Sequence, residues 1–164
     1  MIITPQALIA TIRLNLTRQP LMHPVMVESI LEIKRPQLMR LVESGGLPWA
    51  WDLGLGSVRF ELRILSASVV ERALGSPIPS VGATKNLKLP EVVNLIIPQV
   101  RQSLRGAELQ RLFHITPKFV ADLSLAGEIS RISEHLPATG PNASPRFTRD
   151  SIVKLLEKRR RYDF

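Results

Sequence analysis

The chain has 164 residues, 45% of them hydrophobic, and no cysteine. This length allows one ordinary domain or two small ones, and the lack of cysteine excludes disulfide bonds and thiolate metal sites. The net charge of +8 favours an acidic partner, most commonly nucleic acid. Residues 83–164 hold 14 Lys and Arg against 8 Asp and Glu, whereas residues 1–82 hold 8 against 6. We therefore expect the two halves to contribute unequally to phosphate binding.

The N-terminal segment has a helix-start signal, Thr4 followed by Pro5, which predicts a helix to about Leu14. The run Ile12–Leu16 also alternates in polarity, so a strand stays open as the alternative. The segment lacks the charged start and apolar run of a signal peptide, and no stretch reaches the roughly 20 apolar residues of a membrane helix. We expect a cytoplasmic protein with no membrane partner.

Residues 25–47 predict two short helices joined by a tight turn. Pro36 opens the second helix and Gly45 ends it. A β-hairpin is predicted from Pro48 to Leu65, with Gly54, Gly56 and Ser57 at the turn and an alternating strand after it. The apolar positions of that strand are Val58, Phe60, Leu62 and Ile64. Ser66 is predicted to cap a third helix, from about Ala67 to Leu74.

Trp49 and Trp51 alternate with Ala50, so both should lie on one face of the first hairpin strand. Packing in the core is the favoured interpretation, and an exposed pair would instead indicate a protein interface or contact with bases or sugars. The stretch Gly75–Pro90 is rich in Gly, Pro and Ser and is the best candidate linker. It divides the chain into an N-terminal domain, residues 1–80, and a C-terminal domain, residues 81–164.

The C-terminal half begins with an apolar lead-in, Glu91–Ile97, which Pro98 would end. Residues 104–129 again predict two helices around a tight turn. The first has an apolar face made of Leu104, Ala107, Leu109, Leu112 and Phe113. Thr116 caps the second helix ahead of Pro117. That helix buries Val120 and Leu123 and ends at Gly127.

The last part of the chain predicts a wing and a final helix. Glu128–Ile132 is a candidate first wing strand, His135–Pro145 a long wing tip, and Phe147 returns toward the core. Thr148 then caps a helix whose apolar stripe is Ile152, Leu155 and Leu156. The order helix, turn, helix, wing, helix therefore occurs in both halves.

The two halves also agree position by position. With a shift of 82 residues, Val27 falls on Leu109, Leu38 on Val120 and Gly45 on Gly127, which indicates an internal duplication. The predicted fold is mainly α with small β-hairpin wings: two tandem winged helix-turn-helix domains related by internal duplication.

Each copy resembles the winged helix-turn-helix of phage excisionases and the related MerR-type DNA-binding domains. The resemblance rests on the second helix ending in ESGGL or LAGEI, the wing, and the segments RILSASVVERAL and RFTRDSIVKLLEKRR. It covers roughly residues 25–74 and 104–160. It implies a small prokaryotic DNA-binding protein of a phage, plasmid or transposon, although two copies in one chain depart from the usual single domain.

The expected function is sequence-selective binding of double-stranded DNA, in transcriptional control or as an architectural factor in recombination. The candidate base-contacting residues are Lys34, Arg35, Gln37, Arg40, Thr116, Lys118 and Asp122. The candidate phosphate contacts around the second wing are Arg131, Arg146 and Arg149. Lys158, Arg159, Arg160 and Arg161 either grip phosphate or complement the dipole of the last helix. The alternative for the candidate base-contacting residues is a solvated helix face.

We expect no enzyme, metal or cofactor. His23, His114 and His135 lie in separate contexts without metal-ligand spacing, and no Gly-rich phosphate loop follows a strand. Further candidate partners are a second copy of the chain and another protein of the same mobile element. The alternative function is a protein-interaction module built on the same domains in a phage, transposon or secretion assembly.

Overall fold

The structure is a computed structural model that describes residues 16, 18–54, 60–97, 100–132 and 145–161. It is helical with small antiparallel sheets. None of the described helices is long and apolar enough to cross a lipid bilayer. The predictions for the segment up to Leu14, for Gly56, Ser57 and Val58, for Pro98, and for the wing tip with His135 lie outside the described residues.

The elements of the N-terminal half from Leu21 onward are described except at residues 55–59. In chain order they are β1 (Leu21–Met22), α1 (Pro24–Leu31), α2 (Arg35–Glu43), β2 (Ala50–Asp52), β3 (Leu62–Leu65) and α3 (Ser66–Leu74). β3 pairs antiparallel with both β1 and β2, so the antiparallel pairing predicted for the hairpin of β2 and β3 is confirmed.

A connecting region of a 3-10 turn (Thr84–Asn86) and α4 (Leu89–Ile96) leads to the C-terminal half. The elements of that half are β4 (Ser103–Arg105), α5 (Gly106–Phe113), α6 (Pro117–Leu125), β5 (Arg146–Thr148), α7 (Arg149–Arg159) and β6 (Arg160–Arg161). β4 pairs with β5, and Arg131 forms a single bridge to Phe147 in place of the predicted first wing strand.

The helix ends follow the local signals in the sequence. The Thr116 hydroxyl accepts a hydrogen bond from the Phe119 N–H at 3.2 Å, and the Thr148 hydroxyl accepts one from the Ser151 N–H at 3.3 Å. Both predicted caps are thus confirmed. Gly127 takes a φ of 74° just after α6, and Gly45 takes 79° after α2, the left-handed conformation that glycine adopts without strain.

The first two helices of each half have matching bounds. α1 and α5 are offset by 82 residues at both ends, and so are α2 and α6. The residues that end α1 and α5, Glu32 and His114, both have a left-handed φ of 53°. Ser66 and Arg149, at the starts of α3 and α7, each donate a backbone hydrogen bond to the segment before the first strand of their half, at 2.8 and 2.9 Å.

The sheet of the N-terminal half lies between two clusters of buried side chains. On one face, Leu62 and Ile64 pack with Val27 and Leu38 of the helix-turn-helix. On the other face, a larger cluster joins the two halves. Its members from the N-terminal sheet and the following segments include Leu21, Trp51, Leu65 and Ile78, and its members from the C-terminal half include Leu112, Phe113, Phe147, Ile152 and Leu156. The halves are therefore in direct contact through a shared core.

The two tryptophans belong to this shared core, as predicted. Trp49 and Trp51 are 4% and 0% exposed, and their ring centroids lie 6.3 Å apart. The Trp49 indole N–H donates to the Thr84 carbonyl at 2.8 Å and the Trp51 indole N–H to the Leu156 carbonyl at 3.0 Å. Trp51 thereby ties the first sheet to the last helix.

The chain's C-terminal strand completes the first sheet. β6 pairs antiparallel with β2, so the strand order is β1-β3-β2-β6. The predicted linker is packed as well, because Ile78 and Thr84 within it are buried. The division into residues 1–80 and 81–164 stays a prediction.

Several local predictions were wrong. Leu104 lies in a strand, because its backbone pairs with Phe147, and Ala107 is exposed on α5. Ser66 is the first residue of α3 and not its cap, since its hydroxyl donates to the Gln19 carbonyl instead. Phe60 is 46% exposed, with its ring beneath the Arg161 guanidinium.

Candidate nucleic-acid interface

The second helix of the N-terminal half presents a polar, cationic face. Its apolar positions Leu38 and Val42 are buried, which fixes the rotation of α2 on the core. The four residues predicted to contact bases, Lys34, Arg35, Gln37 and Arg40, are all exposed. The structure therefore brings this group together at the beginning and along the outer face of one helix.

Two members of this group also stabilise the helix-turn-helix. The Gln37 side-chain oxygen accepts a hydrogen bond from the Lys34 N–H at 2.9 Å, which caps the start of α2. The Arg35 guanidinium forms an ion pair with Glu28 of α1 and remains 48% exposed. For Lys34 and Arg40 the described residues offer no ion-pair partner, so these two cations are available to a ligand.

The second helix of the C-terminal half has a different surface. Thr116 serves as the cap, and Lys118 is exposed, but Asp122 on the same helix offsets that charge. Leu125, the last residue of α6, is 87% exposed. The extra charge of the C-terminal half is therefore not on its helix-turn-helix, and α2 is the more cationic of the two second helices.

The predicted phosphate contacts at the second wing fall into two groups. Arg131 is exposed and Arg146 partly exposed. Arg149 instead donates from Nη2 to the Asn94 Oδ1 at 3.0 Å and to the Ile97 carbonyl at 3.4 Å, which joins α7 to α4.

The basic residues at the C-terminus have partners within the chain. Lys158 and Arg159 each lie 3.0 Å from the Glu128 carboxylate, and the hydrogen bond from Lys158 and the charge of Arg159 lower the pKa of Glu128. The Arg160 guanidinium lies over the Trp49 ring, 3.7 Å from its centroid, and Arg161 lies 5.0 Å from that of Phe60. These contacts hold the tail residues on the protein surface.

Three arginines that the sequence did not single out lie near Arg146. Together with it, Arg101, Arg105 and Arg111 border a groove of about 460 Å³. Prediction of a strand at Arg105 could have indicated this cluster, because the pairing of β4 with β5 sets Arg105 opposite Arg146. The apolar spacing of residues 104–113 predicted a helix there, so the strand was missed.

No family model, curated protein or solved structure matches the chain. The similarity to phage excisionases and MerR-type domains therefore stays a prediction from the residues that carry it.

Proposed function

We propose that the chain is a sequence-selective double-stranded DNA-binding protein made of two winged helix-turn-helix units. The observation that carries the proposal is the exposed face of α2, where Lys34, Arg35, Gln37 and Arg40 project from the second helix of a helix-turn-helix. This helix is the element that enters a DNA major groove in such folds.

The proposed contacts follow from the chemistry of these side chains. Arg40 and Arg35 can donate two hydrogen bonds to the edge of guanine, and Gln37 can pair with adenine. Lys34, at the helix start, would meet a phosphate. Arg131 of the second half, which is exposed and forms a single backbone bridge to Phe147, would add a further phosphate contact.

An internal duplication is the proposed origin of the two units. It is supported by the shared offset of 82 residues between α1 and α5 and between α2 and α6. Because Lys118 and Asp122 of α6 differ in charge from the face of α2, the two units would read different DNA or use different parts of it. A palindromic site is therefore not required.

The biological role follows from the resemblance to excisionases and MerR-type domains. It would be transcriptional control or architectural help in recombination for a prokaryotic mobile element, in the cytoplasm. A second copy of the chain or another protein of the same element would be a further partner.

Binding to random-sequence duplexes, followed by fluorescence anisotropy over a range of salt concentrations, tests the proposal. Specific and non-specific DNA binding both show a steep negative dependence on log salt, with a slope of about 0.9 for each phosphate neutralised. Selection of bound sequences from a random pool then shows whether the chain prefers particular sites.

Variants of α2 locate the interface. Replacing Arg35 and Arg40 by Ala should weaken DNA binding at least tenfold while the protein still melts cooperatively, because both side chains are exposed. The double variant Lys85→Ala, Lys88→Ala, which removes two exposed cations outside both helix-turn-helices, is the matched control and should leave the affinity unchanged. Equal effects of both changes would mean that only overall charge matters.

A second function, a protein-interaction module, is favoured by one observation on α6. Leu125 is 87% exposed there, next to a face on which Lys118 and Asp122 balance each other. Little DNA affinity even at low salt would support this function and exclude the first.

A further inference from the structure

The two-stranded sheet of the C-terminal half has one apolar and one cationic face. Leu104 and Phe147 point into the core and are each 1% exposed. The alternate positions Arg105 and Arg146 are partly exposed, and the strand register sets them directly opposite each other. Like charges at opposed positions of a sheet destabilise it.

The groove next to this pair concentrates positive charge. It is about 460 Å³ in volume and is lined by Arg101, Arg105, Ala107, Glu108, Arg111 and Arg146. Four arginines and one glutamate give it three net positive charges.

The single carboxylate of the groove is already engaged. Glu108 pairs with the Arg101 guanidinium at 2.6 Å and accepts the Arg105 backbone N–H at 3.4 Å. Within the described ranges, no carboxylate pairs with the guanidinium groups of Arg105 and Arg146. Among the residues that the structure describes, these two opposed guanidinium groups therefore have no ion-pair partner at the groove.

Arg63, the equivalent residue in the N-terminal half, has a structural role that Arg146 lacks among the described residues. Arg63, which corresponds to Arg146 with a shift of 83 residues, is 4% exposed and donates to the carbonyls of Phe113 and His114 at 2.9 and 2.7 Å. The Arg146 guanidinium donates no such hydrogen bond to a carbonyl of the described residues.

We propose that this arginine groove binds a phosphate group. Guanidinium groups are planar donors that match the geometry of phosphate oxygens, and two of them on one face can hold one phosphate from both sides. Binding would remove the repulsion between Arg105 and Arg146. The groove uses no residue of α2 or α6, so it is a site separate from the proposed base-reading helix.

The phosphate has two possible sources, the backbone of bound DNA or a free inorganic or nucleotide phosphate. The first source rests on the proposed function, whereas the second does not. The experiment therefore has one arm for each source.

The first arm measures thermal unfolding in sodium phosphate and in tripolyphosphate, against sodium chloride at equal ionic strength. A ligand at about one hundred times its Kd shifts the folding equilibrium about a hundredfold, so the melting temperature of the wild-type chain should rise. The double variant Arg105→Gln, Arg146→Gln should lose this rise. Lys154→Gln, which removes an exposed cation of the same half outside the groove, should retain it.

Folding of the double variant is checked in chloride alone. The double variant removes both of the opposed like charges and so relieves their repulsion, and its melting temperature should therefore equal or exceed that of the wild type.

The second arm measures DNA affinity against log salt for the same proteins. Loss of two phosphate contacts should reduce the slope by about two. A changed slope supports a backbone phosphate, and a phosphate-induced rise in melting temperature with an unchanged slope supports a free phosphate. If neither measurement separates the double variant from Lys154→Gln, the groove proposal is overturned.

The two proposals fail separately. Arg40→Ala should weaken DNA binding and retain the rise in phosphate. A chain that binds no DNA at all would defeat the proposed function, and the first arm would still decide whether the groove takes phosphate.

Discussion

Corresponding sheet faces of the two halves differ: one is buried and apolar, and the other is partly exposed and cationic. In the N-terminal half, the face of β3 and β1 turned away from α1 and α2 carries Leu21 and Leu65, and both side chains are buried in the core that is shared with the C-terminal half. In the C-terminal half, the corresponding face carries Arg105 and Arg146 and is partly exposed. Corresponding strands thus form an internal interface in one half and a charged groove in the other.

This difference also separates the two first helices. Leu112 of α5 is 4% exposed because α5 packs into the shared core, whereas Ile30, the equivalent residue of α1, is 43% exposed. Packing of the two halves therefore buries a face of α5, whereas the equivalent face of α1 remains exposed. Four experiments test the contact between the halves and the unequal roles of equivalent side chains.

The largest expected effect is on Trp51, which joins the halves. Trp51→Ala should cost about 3–5 kcal/mol of unfolding free energy, since it removes a fully buried indole and its hydrogen bond to the Leu156 carbonyl. Urea unfolding followed by circular dichroism should show one transition at lower urea. Two separate transitions, with only one of them shifted, would show that the halves unfold independently.

The next effect compares Arg63 with Arg146. Arg63→Ala should lower the unfolding free energy by about 3 kcal/mol, because it leaves the buried Phe113 carbonyl and the partly buried His114 carbonyl without their donor. Arg146→Ala should change it by less than about 0.5 kcal/mol. Similar losses for both variants in urea titrations would mean that Arg146 has a structural role.

A smaller contrast is expected between Leu112 and Ile30. Leu112→Ala should cost about 2 kcal/mol or more, as for a buried leucine, and Ile30→Ala less than about 1 kcal/mol. Thermal unfolding of the two variants under the same conditions measures the difference. Equal costs would contradict the unequal burial of α1 and α5.

The smallest effect concerns pH at the contact between the halves. His23 Nδ1 accepts the Val25 N–H at 3.2 Å, and its ring lies 6.0 Å from that of His114. Burial, and then the charges of Arg63 and His114, lower the pKa of His23 from its ordinary value of 6.5, while Glu61 opposes them. The unfolded chain therefore takes up this proton first, and stability should fall as the pH drops below about 6.5.

His23→Asn is the control for that experiment, because an asparagine side chain can still cap α1 but does not titrate in this range. Melting temperatures measured between pH 5 and 8 should flatten in the variant below pH 6.5. An unchanged profile would assign the dependence to another group.

Much of the helical framework could be predicted from the sequence. Thr116 and Thr148 are hydroxyl caps, Gly45 and Gly127 are left-handed helix ends, and each acts within a few residues of its own position. The hairpin of β2 and β3 is also local. The exposure of Lys34 and Arg40 followed from the buried spacing of their helix.

The groove and the shared core could not be predicted in this way. β4 was hidden because residues 104–113 also fit the apolar spacing of a helix, and only the pairing with β5 reveals Arg105 opposite Arg146. The position of the basic tail could not be predicted either, because the Arg160 guanidinium packs on the ring of Trp49, which is distant in the sequence.

Local signals in the sequence thus determined where the helices begin and end, because a cap or a glycine acts on the neighbouring backbone. Tertiary structure decided which faces are covered. Trp51 bonds to Leu156 across 105 residues, and β6 joins the first sheet from the end of the chain. Such contacts depend on how whole elements pack, and for that reason two halves with one pattern of elements acquire different surfaces.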